Sequence, residues 1–392
     1  MQKVSILYVI TKLELGGAQK QLLRIIRGLD RQGNNVFLFT AQEGPLLSEA
    51  LAIKGLKVKT SKFLERPVNP IMDLLALCEI YNVIKKNNID IVHTHSSKAG
   101  ILGRLAAKLT KAKVIIHTVH GWSFNDYQLF FLRWLYIWLE RLAAQFSSKL
   151  IVVSHFDKEK GLRNNIGDSN KYALIRYGIK LDEFNINNCH LREELRLNRG
   201  DLAVGMVSCF KPQKAPQDFI KLAFLVNRSM PGVKFILVGD GILGKELKAL
   251  IVKFNLQKEV ILLGWRNDIP RILSALDVFV LSSLWEGLPV SVLEAMASSL
   301  PVVATNTGGI AEALVEGKAG FLVPPRNIEE MAEKLTILLK DENLRRRIGR
   351  NARYFLEGNF HLEDMLRDTR DLYENLIKKT YGCPLRKGAR YE

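Results

Sequence analysis

Residues 277–313 read Asp277-Val-Phe-Val-Leu281, then Ser282-Ser-Leu-Trp-Glu286-Gly287-Leu288-Pro289, then Val290-Ser-Val-Leu-Glu294-Ala-Met-Ala297. After Pro301-Val-Val-Ala304 comes a glycine pair, Gly308-Gly309. The first stretch is a short apolar run with polar neighbours, the pattern of a strand covered on both faces. Pro289 opens a helix, because proline is tolerated in a first helical turn where its missing N–H costs nothing. Strand, loop, helix and strand make one βαβ unit. The loop carries Glu286 and the helix carries Glu294. A helix start offers unpaired backbone N–H groups and a positive dipole end, which suit a phosphate. Carboxylates on either side accept hydrogen bonds from hydroxyls. A phosphate beside two readers of hydroxyls points to a nucleotide sugar as ligand.

Outward from this unit the same alternation recurs. Strands are predicted at 4–10, 35–40, 56–60, 90–94, 113–119 and 149–153, then at 203–208, 233–238, 259–263, 277–281, 301–304 and 320–323. Amphipathic helical segments separate them, so parallel sheets covered by helices are expected. The fold class is α/β, with two Rossmann-like domains facing across a cleft. Ligand loops belong at the carboxyl ends of the strands. The boundaries read as an N-terminal domain over 1–185, a polar linker at 186–201 and a second domain over 202–360. A C-terminal helix at 361–380 returns to the N-terminal domain, and 381–392 is a tail. By periodicity the segment 341–379 is helical.

The 392 residues are 47% hydrophobic and carry a net charge of +17. Residues 1–205 hold 30 Lys and Arg against 18 Asp and Glu, so most of the excess lies in the first half. A basic first half suits an anionic partner, such as a phospholipid surface or a lipid-linked phosphate. Cys78, Cys189, Cys209 and Cys383 show no C-x-x-C spacing, which argues against a zinc knuckle and suits a reducing cytosol. No run of about 18 apolar residues predicts a spanning helix. The expected location is cytoplasmic, peripheral at the inner membrane face. Residues 122–146 are aromatic and basic, with Trp122, Phe130, Phe131, Trp134 and Trp138 beside Arg133 and Arg141. This segment reads either as an interfacial helix or as a helix packed into the core.

Further candidates sit at strand ends. Gly16 and Gly17 follow the first strand, where glycine permits close approach and positive φ. His120 ends strand 113–119, and its imidazole can donate to a sugar hydroxyl or a phosphate. His93 and His95 share one strand face, but no Cys, Asp or Glu nearby completes a metal set. His95 and Ser96 are read as acceptor-binding. Lys211 and Lys214 follow the first strand of the second half, where a lysine can neutralise a leaving diphosphate. Gly239, Gly241 and Gly244 have the G-x-G-x-x-G form, but in the second strand unit and not the first. They are read as a tight loop close to the donor. The alternatives are an NAD(P)-binding oxidoreductase using this loop, or a non-catalytic nucleotide-sugar binder. Arg266 can stack on a base. No Asp-x-Asp pair occurs, so no metal and no cofactor are expected.

These residues together resemble the retaining glycosyltransferases of family 4, with the two-domain GT-B fold. The resemblance spans nearly the whole chain. Its most specific element is Glu286 and Glu294 in E-G-L-P-x-x-x-L-E-A-M-A, with seven residues between them. Gly16-Gly17, His120-Gly121, Lys214 and Gly308-Gly309 also fall where that family has its own. The resemblance implies that Glu286 contacts the donor sugar and Glu294 the ribose, that Lys214 binds the diphosphate and that His120 lies near the transferred sugar. Gly287 and Leu288 join the donor loop. It also implies a glycan or polyprenyl-linked acceptor and no nucleic acid. One departure is Cys209, where the family usually has an Arg five residues before the Lys. Lys211 is the nearest replacement, a point charge without the fork of Arg.

Overall fold

A computed structural model of the chain describes residues 4–30, 34–186, 190–198 and 200–381. Cys189, Cys383, part of the proposed linker and residues 382–392 of the proposed tail lie outside the described residues. The chain forms two compact units. One holds residues up to Arg176 together with those from Glu363 onward, and the other holds Tyr177–Leu362. The sequence reading drew its first boundary at 185; by packing, the chain passes into the second unit at Tyr177.

The first unit is built on β1 (Ser5–Val9), β2 (Asn35–Ala41), β3 (Lys57–Ser61), β4 (Ile91–His95), β5 (Val114–Val119), β6 (Lys149–Val152) and β7 (Tyr172–Leu174). They form one parallel sheet in the order β3-β2-β1-β4-β5-β6-β7. The order reverses between β1 and β4, which is the switch point where α/β sheets place ligands. Strands β1, β4 and β5 are buried along their whole length, as both faces are covered. Edge strand β3 exposes Lys57 and Lys59, charges that discourage pairing with another chain. Helix Ser97–Leu109 lies close to the sheet because two positions lack side chains. A Cβ on Gly100 would meet the His117 ring at 2.6 Å, and one on Gly103 would meet Thr94 Cγ2 at 2.6 Å.

The second unit is built on β8 (Ala203–Val207), β9 (Lys234–Val238), β10 (Val260–Gly264), β11 (Val278–Leu281), β12 (Val302–Thr305) and β13 (Gly320–Val323). Its sheet is also parallel, in the order β10-β9-β8-β11-β12-β13, with the reversal between β8 and β11. Each expected strand is present. Strand β7, only Tyr-Ala-Leu, was not foreseen, being too short to show a period.

The helical stretch expected over 341–379 is two helices, Glu342–Asn359 and Leu362–Tyr381. The break falls at Phe360, whose carbonyl accepts from the Ile179 N–H at 2.8 Å, while Ile179 bridges to His361. The last helix then buries Met365, Leu366, Tyr373 and Ile377. Leu366 packs against Gly28, and the Tyr373 hydroxyl bonds Tyr8 at 3.1 Å and His93 at 2.5 Å.

Candidate active site

In the second unit, three loops at carboxyl strand ends are tied together. After β8 the chain makes a turn, Pro212–Lys214, followed by Ala215 in the left-handed region at φ 43°. The Ser282 hydroxyl, just past β11, donates to the Lys214 carbonyl at 3.1 Å and the Ala215 carbonyl at 3.0 Å. Leu284 N–H donates to the Gln213 carbonyl at 2.7 Å, and the Gln213 amide donates to the Trp285 carbonyl at 2.9 Å. After β12, Gly309 N–H donates to the Gly287 carbonyl at 2.6 Å. Gly308, at φ 60°, passes so close that a Cβ there would meet the Glu286 carbonyl oxygen at 2.0 Å. The glycine pair thus supports the Glu286 loop from below.

The loops converge on an ion pair. Lys214 Nζ donates to Glu286 Oε1, and the Ser283 hydroxyl donates to the same oxygen at 2.6 Å. Both partners are largely buried, with side-chain exposures of 16% and 6%. The pair sits at the entrance to helix Val290–Ala297, preceded by Pro289 with no side-chain cap, so the first N–H groups of that helix are available to an anion. Glu294 is buried inside the same helix. Leu288 is buried. Lys211 precedes the turn and is half-buried.

Two further donor-site candidates are held by contacts within the protein. The Gly239–Gly244 loop matches the dinucleotide pattern for packing reasons. A Cβ on Gly239 would meet the Ser208 carbonyl at 1.9 Å, and one on Gly241 the Phe210 carbonyl at 2.7 Å. Both have φ above +120°, at 129° and 156°. The loop also exchanges backbone bonds with Phe210. It therefore shapes the Ser208–Lys214 segment by contact. Arg266 follows the edge strand β10, and its fork is closed on Asp268 by bonds of 2.7 and 2.6 Å.

In the first unit, Gly17 begins helix Gly17–Asp30 and neither Gly16 nor Gly17 has positive φ. At Gly16 the constraint is space, since a Cβ would meet the Gln19 side chain at 2.5 Å. Ser96 holds φ 61° and ψ 161°, a backbone region costly for a residue with Cβ. Its hydroxyl is 2.8 Å from Thr11 Oγ1 and accepts from the Thr11 N–H at 3.2 Å. This ties the β1 loop to the β4 loop across the switch point. His95 is completely buried and bonds His120, Nδ1 to Nε2, at 2.9 Å. A side chain with no surface cannot touch an acceptor, so that role is withdrawn from His95. Three histidines, His93, His95 and His117, are buried in this core, and His120 is half-buried at its edge. Burial pushes His93 down to about 3 and His120 down to about 4, and holds His95 and His117 well below the usual range. All are neutral at physiological pH. Near them, a cavity of about 340 Å³ opens at the carboxyl ends of β1, β2 and β3, lined by Lys12, Glu14, Gln42, Glu43, Lys62 and Arg66.

Comparison with known proteins shows the family. The family description "Glycosyltransferase Family 4" matches residues 15–183, and "Glycosyl transferases group 1" matches residues 189–355. A UDP-Gal:alpha-D-GlcNAc-diphosphoundecaprenol alpha-1,3-galactosyltransferase of Escherichia coli is 35% identical over 383 residues, covering 96% of this chain and 98% of that protein. This chain belongs to the family 4 glycosyltransferases. An N,N'-diacetylbacillosaminyl-diphospho-undecaprenol alpha-1,3-N-acetylgalactosaminyltransferase of Campylobacter jejuni is 28% identical over 340 residues, covering 84% of this chain and 88% of that protein. Among solved structures, Anabaena HepE in complex with UDP-glucose is similar with a TM-score of 0.82 at 21% identity, covering 95% of this chain and 99% of that one. That likeness carries the fold, two Rossmann-like units of GT-B type. The oxidoreductase alternative is not favoured.

The sequence reading missed Ser283, which holds Glu286, and Gln213, which ties the loop after β8 to the loop after β11. The signal for Ser283 was its place three residues before Glu286 in a loop otherwise apolar. Among the described residues, no group of three or more His, Cys, Asp or Glu side chains is arranged to hold a metal ion.

Proposed function

We propose that this glycosyltransferase moves a sugar from a UDP-sugar to a polyprenyl-diphosphate-linked glycan in cell-surface polysaccharide synthesis, with retained anomeric configuration. The observation that carries the reading is the Lys214–Glu286 pair at the uncapped start of helix Val290–Ala297. The UDP complexes of HepE and the lipid-diphosphate acceptor in the name of the Escherichia coli relative support the choice of substrates. In this reading the diphosphate lies on the helix N–H groups and Lys214, with Lys211 substituting for the arginine missing at Cys209. Glu294 binds the ribose, Glu286 the sugar, and His120 hydrogen-bonds to the sugar. The bond from C1 to the β-phosphate oxygen breaks as the acceptor hydroxyl attacks from the same face. Its proton passes to the departing diphosphate. Lys214 and the helix N–H groups stabilise the negative charge that develops there, without recourse to a metal.

Labelled UDP-sugars offered with a synthetic polyprenyl diphosphate sugar test this. Label entering the lipid fraction, undiminished by EDTA and α-linked from an α-linked donor, is the expected result. No transfer from any UDP-sugar, or a β-linked product, would overturn it.

The proposed membrane side is helix Phe130–Phe146. Phe130 is 84% exposed, Trp134 61% and Trp138 46%, and Phe131, Leu135 and Leu142 are exposed beside them. Ile137, Glu140, Ala143 and Ala144 face inward, where Glu140 holds the fully buried Arg104 at 2.7 Å. An aromatic face on a basic unit suits an anionic bilayer surface. No helix of the described residues is long and apolar enough to cross a membrane. Sedimentation with phosphatidylglycerol vesicles is expected to exceed that with phosphatidylcholine, and W134S/W138S to weaken it. Binding that ignores lipid charge, salt and the double substitution would refute the docking face.

A further inference from the structure

We propose that His95 is a positioning residue that locks His120 into its Nδ1–H tautomer and so presents His120 as a hydrogen-bond donor. The inference rests on the reading above that His120 addresses the transferred sugar.

The argument starts from the register of two strands. Strands β4 and β5 are parallel neighbours, with His95 paired to Thr118. His120 lies two residues beyond Thr118, hence on the same face. This brings the two imidazoles together at 5.1 Å between centroids, with planes only 20° apart. The Nδ1 of His95 and the Nε2 of His120 are 2.9 Å apart. A bond between two imidazole nitrogens needs one hydrogen, on one of them and not the other. Two arrangements are therefore open.

The far side of His95 chooses between them. Its Nε2 is buried and has no hydrogen-bond partner among the described residues. If His95 Nδ1 were the acceptor, the single proton of neutral His95 would sit on Nε2 as an orphan donor in the core. Such a donor costs about 1–3 kcal/mol, and orphan N–H groups are rarer than under-used acceptors. The favoured arrangement puts the proton on His95 Nδ1, which donates to His120 Nε2. Neutral His120 then carries its own proton on Nδ1. Burial keeps both rings neutral, and at His95 the neighbouring imidazoles of His93, His120 and His117 add to it.

The ring of His95 is held in turn. His93 lies against it at 4.3 Å, and both nitrogens of His93 are engaged. Its Nε2 is 2.7 Å from the Thr118 hydroxyl, and its Nδ1 is 2.5 Å from the Tyr373 hydroxyl on the last helix. Tyr8 lies on the other side of Tyr373 at 3.1 Å. The stack therefore runs from the C-terminal helix to His120 and leaves no ring free to flip. One chemical consequence is that His120 cannot act as the base for the acceptor hydroxyl. One of its nitrogens carries a proton and the other accepts from His95. It donates to the sugar, and the departing diphosphate takes the acceptor proton.

The test begins with the intact wild-type protein. Nitrogen-15 labelling of histidine and long-range proton–nitrogen correlation report which ring nitrogen carries the proton. His120 protonated at Nδ1 is expected, assigned by its loss in H120A; protonation at Nε2 overturns the proposal whatever the kinetics. Two substitutions then separate tautomer control from packing. His95→Asn keeps an amide donor near the place of Nδ1 and is expected to hold kcat within about fivefold. His95→Asp can only accept, which moves the proton to His120 Nε2; kcat should fall about a hundredfold, the scale of losing one donor to the transition state, with KM for the nucleotide sugar nearly unchanged. The H95D/H120A double variant should be no slower than H120A alone. Equal kcat for H95N and H95D sinks the positioning role while leaving the His120 reading intact. A fully active H120A sinks both.

Discussion

Glu286→Gln is expected to lower the transfer rate about a thousandfold, at the upper end of what one preorganised polar contact contributes to a transition state. The substitution is chosen because it keeps the oxygen that accepts from Ser283 and Lys214 while removing the charge. Truncation to alanine is a poorer probe. It would strand the Lys214 ammonium in a mostly buried place, a defect of about 3–5 kcal/mol that confuses folding with catalysis. UDP affinity in E286Q should stay within a few fold of wild type, because the proposed diphosphate contacts belong to Lys214 and the helix start. Lys214→Met reverses the pattern, weakening UDP about tenfold to a hundredfold, which corresponds to 1.4–2.8 kcal/mol. Transfer kinetics and calorimetric titration with UDP read the two effects separately. E286Q turning over within about threefold of wild type removes Glu286 from the chemistry.

Stability of the protein should fall steeply as the solution is acidified from pH 7 to pH 5. His93, His95, His117 and His120 all have folded-state values below the unfolded value near 6.5. A depressed group contributes stability that is fully present above the unfolded pKa. It is lost as pH falls below 6.5, because the unfolded chain takes up protons that the folded core refuses. Each such histidine adds a slope of about 1.4 kcal/mol per pH unit, so four together can remove several kcal/mol by pH 5. Few carboxylates titrate in that window, which keeps the assignment to histidine clean. Urea midpoints at pH 7.5, 6.0 and 5.0 measure it. A midpoint unchanged across that range would contradict the neutral, buried cluster.

Most of the sheet framework was legible in the sequence because both-face burial writes itself as short apolar runs. Ile91–His95 and Val114–Val119 stand out between helices even with histidines among them. Strand Tyr172–Leu174 did not, since three residues carry no period. The boundary at 360 was placed in the sequence, but its physical cause was not. It is set by pairing of Ile179 with His361, nearly two hundred residues apart, and not by a local proline or glycine. At the site, Glu286 and Lys214 could be picked out by residue type and spacing. Their mutual bond could not, because it depends on β8 lying next to β11. The glycines at 239 and 241 gave a pattern shared by two physical causes, approach to a ligand and approach to another backbone. Only coordinates separate these. The same holds for His95, where a strand-end histidine reads as a contact residue until its complete burial is seen.

The last helix belongs to the core of the unit built by the first 176 residues, and it delivers Tyr373 beneath His93. Translation proceeds from the amino end, so the opening sheet emerges long before the piece that seals its histidine stack. Until then Leu366 and Ile377 are absent from the hydrophobic layer they complete. The first unit is thus held unfinished during synthesis and is completed only once the helix Leu362–Tyr381 has been made. A nascent chain arrested before Tyr373 carries every donor-loop residue, yet lacks the hydroxyl that anchors the imidazole column.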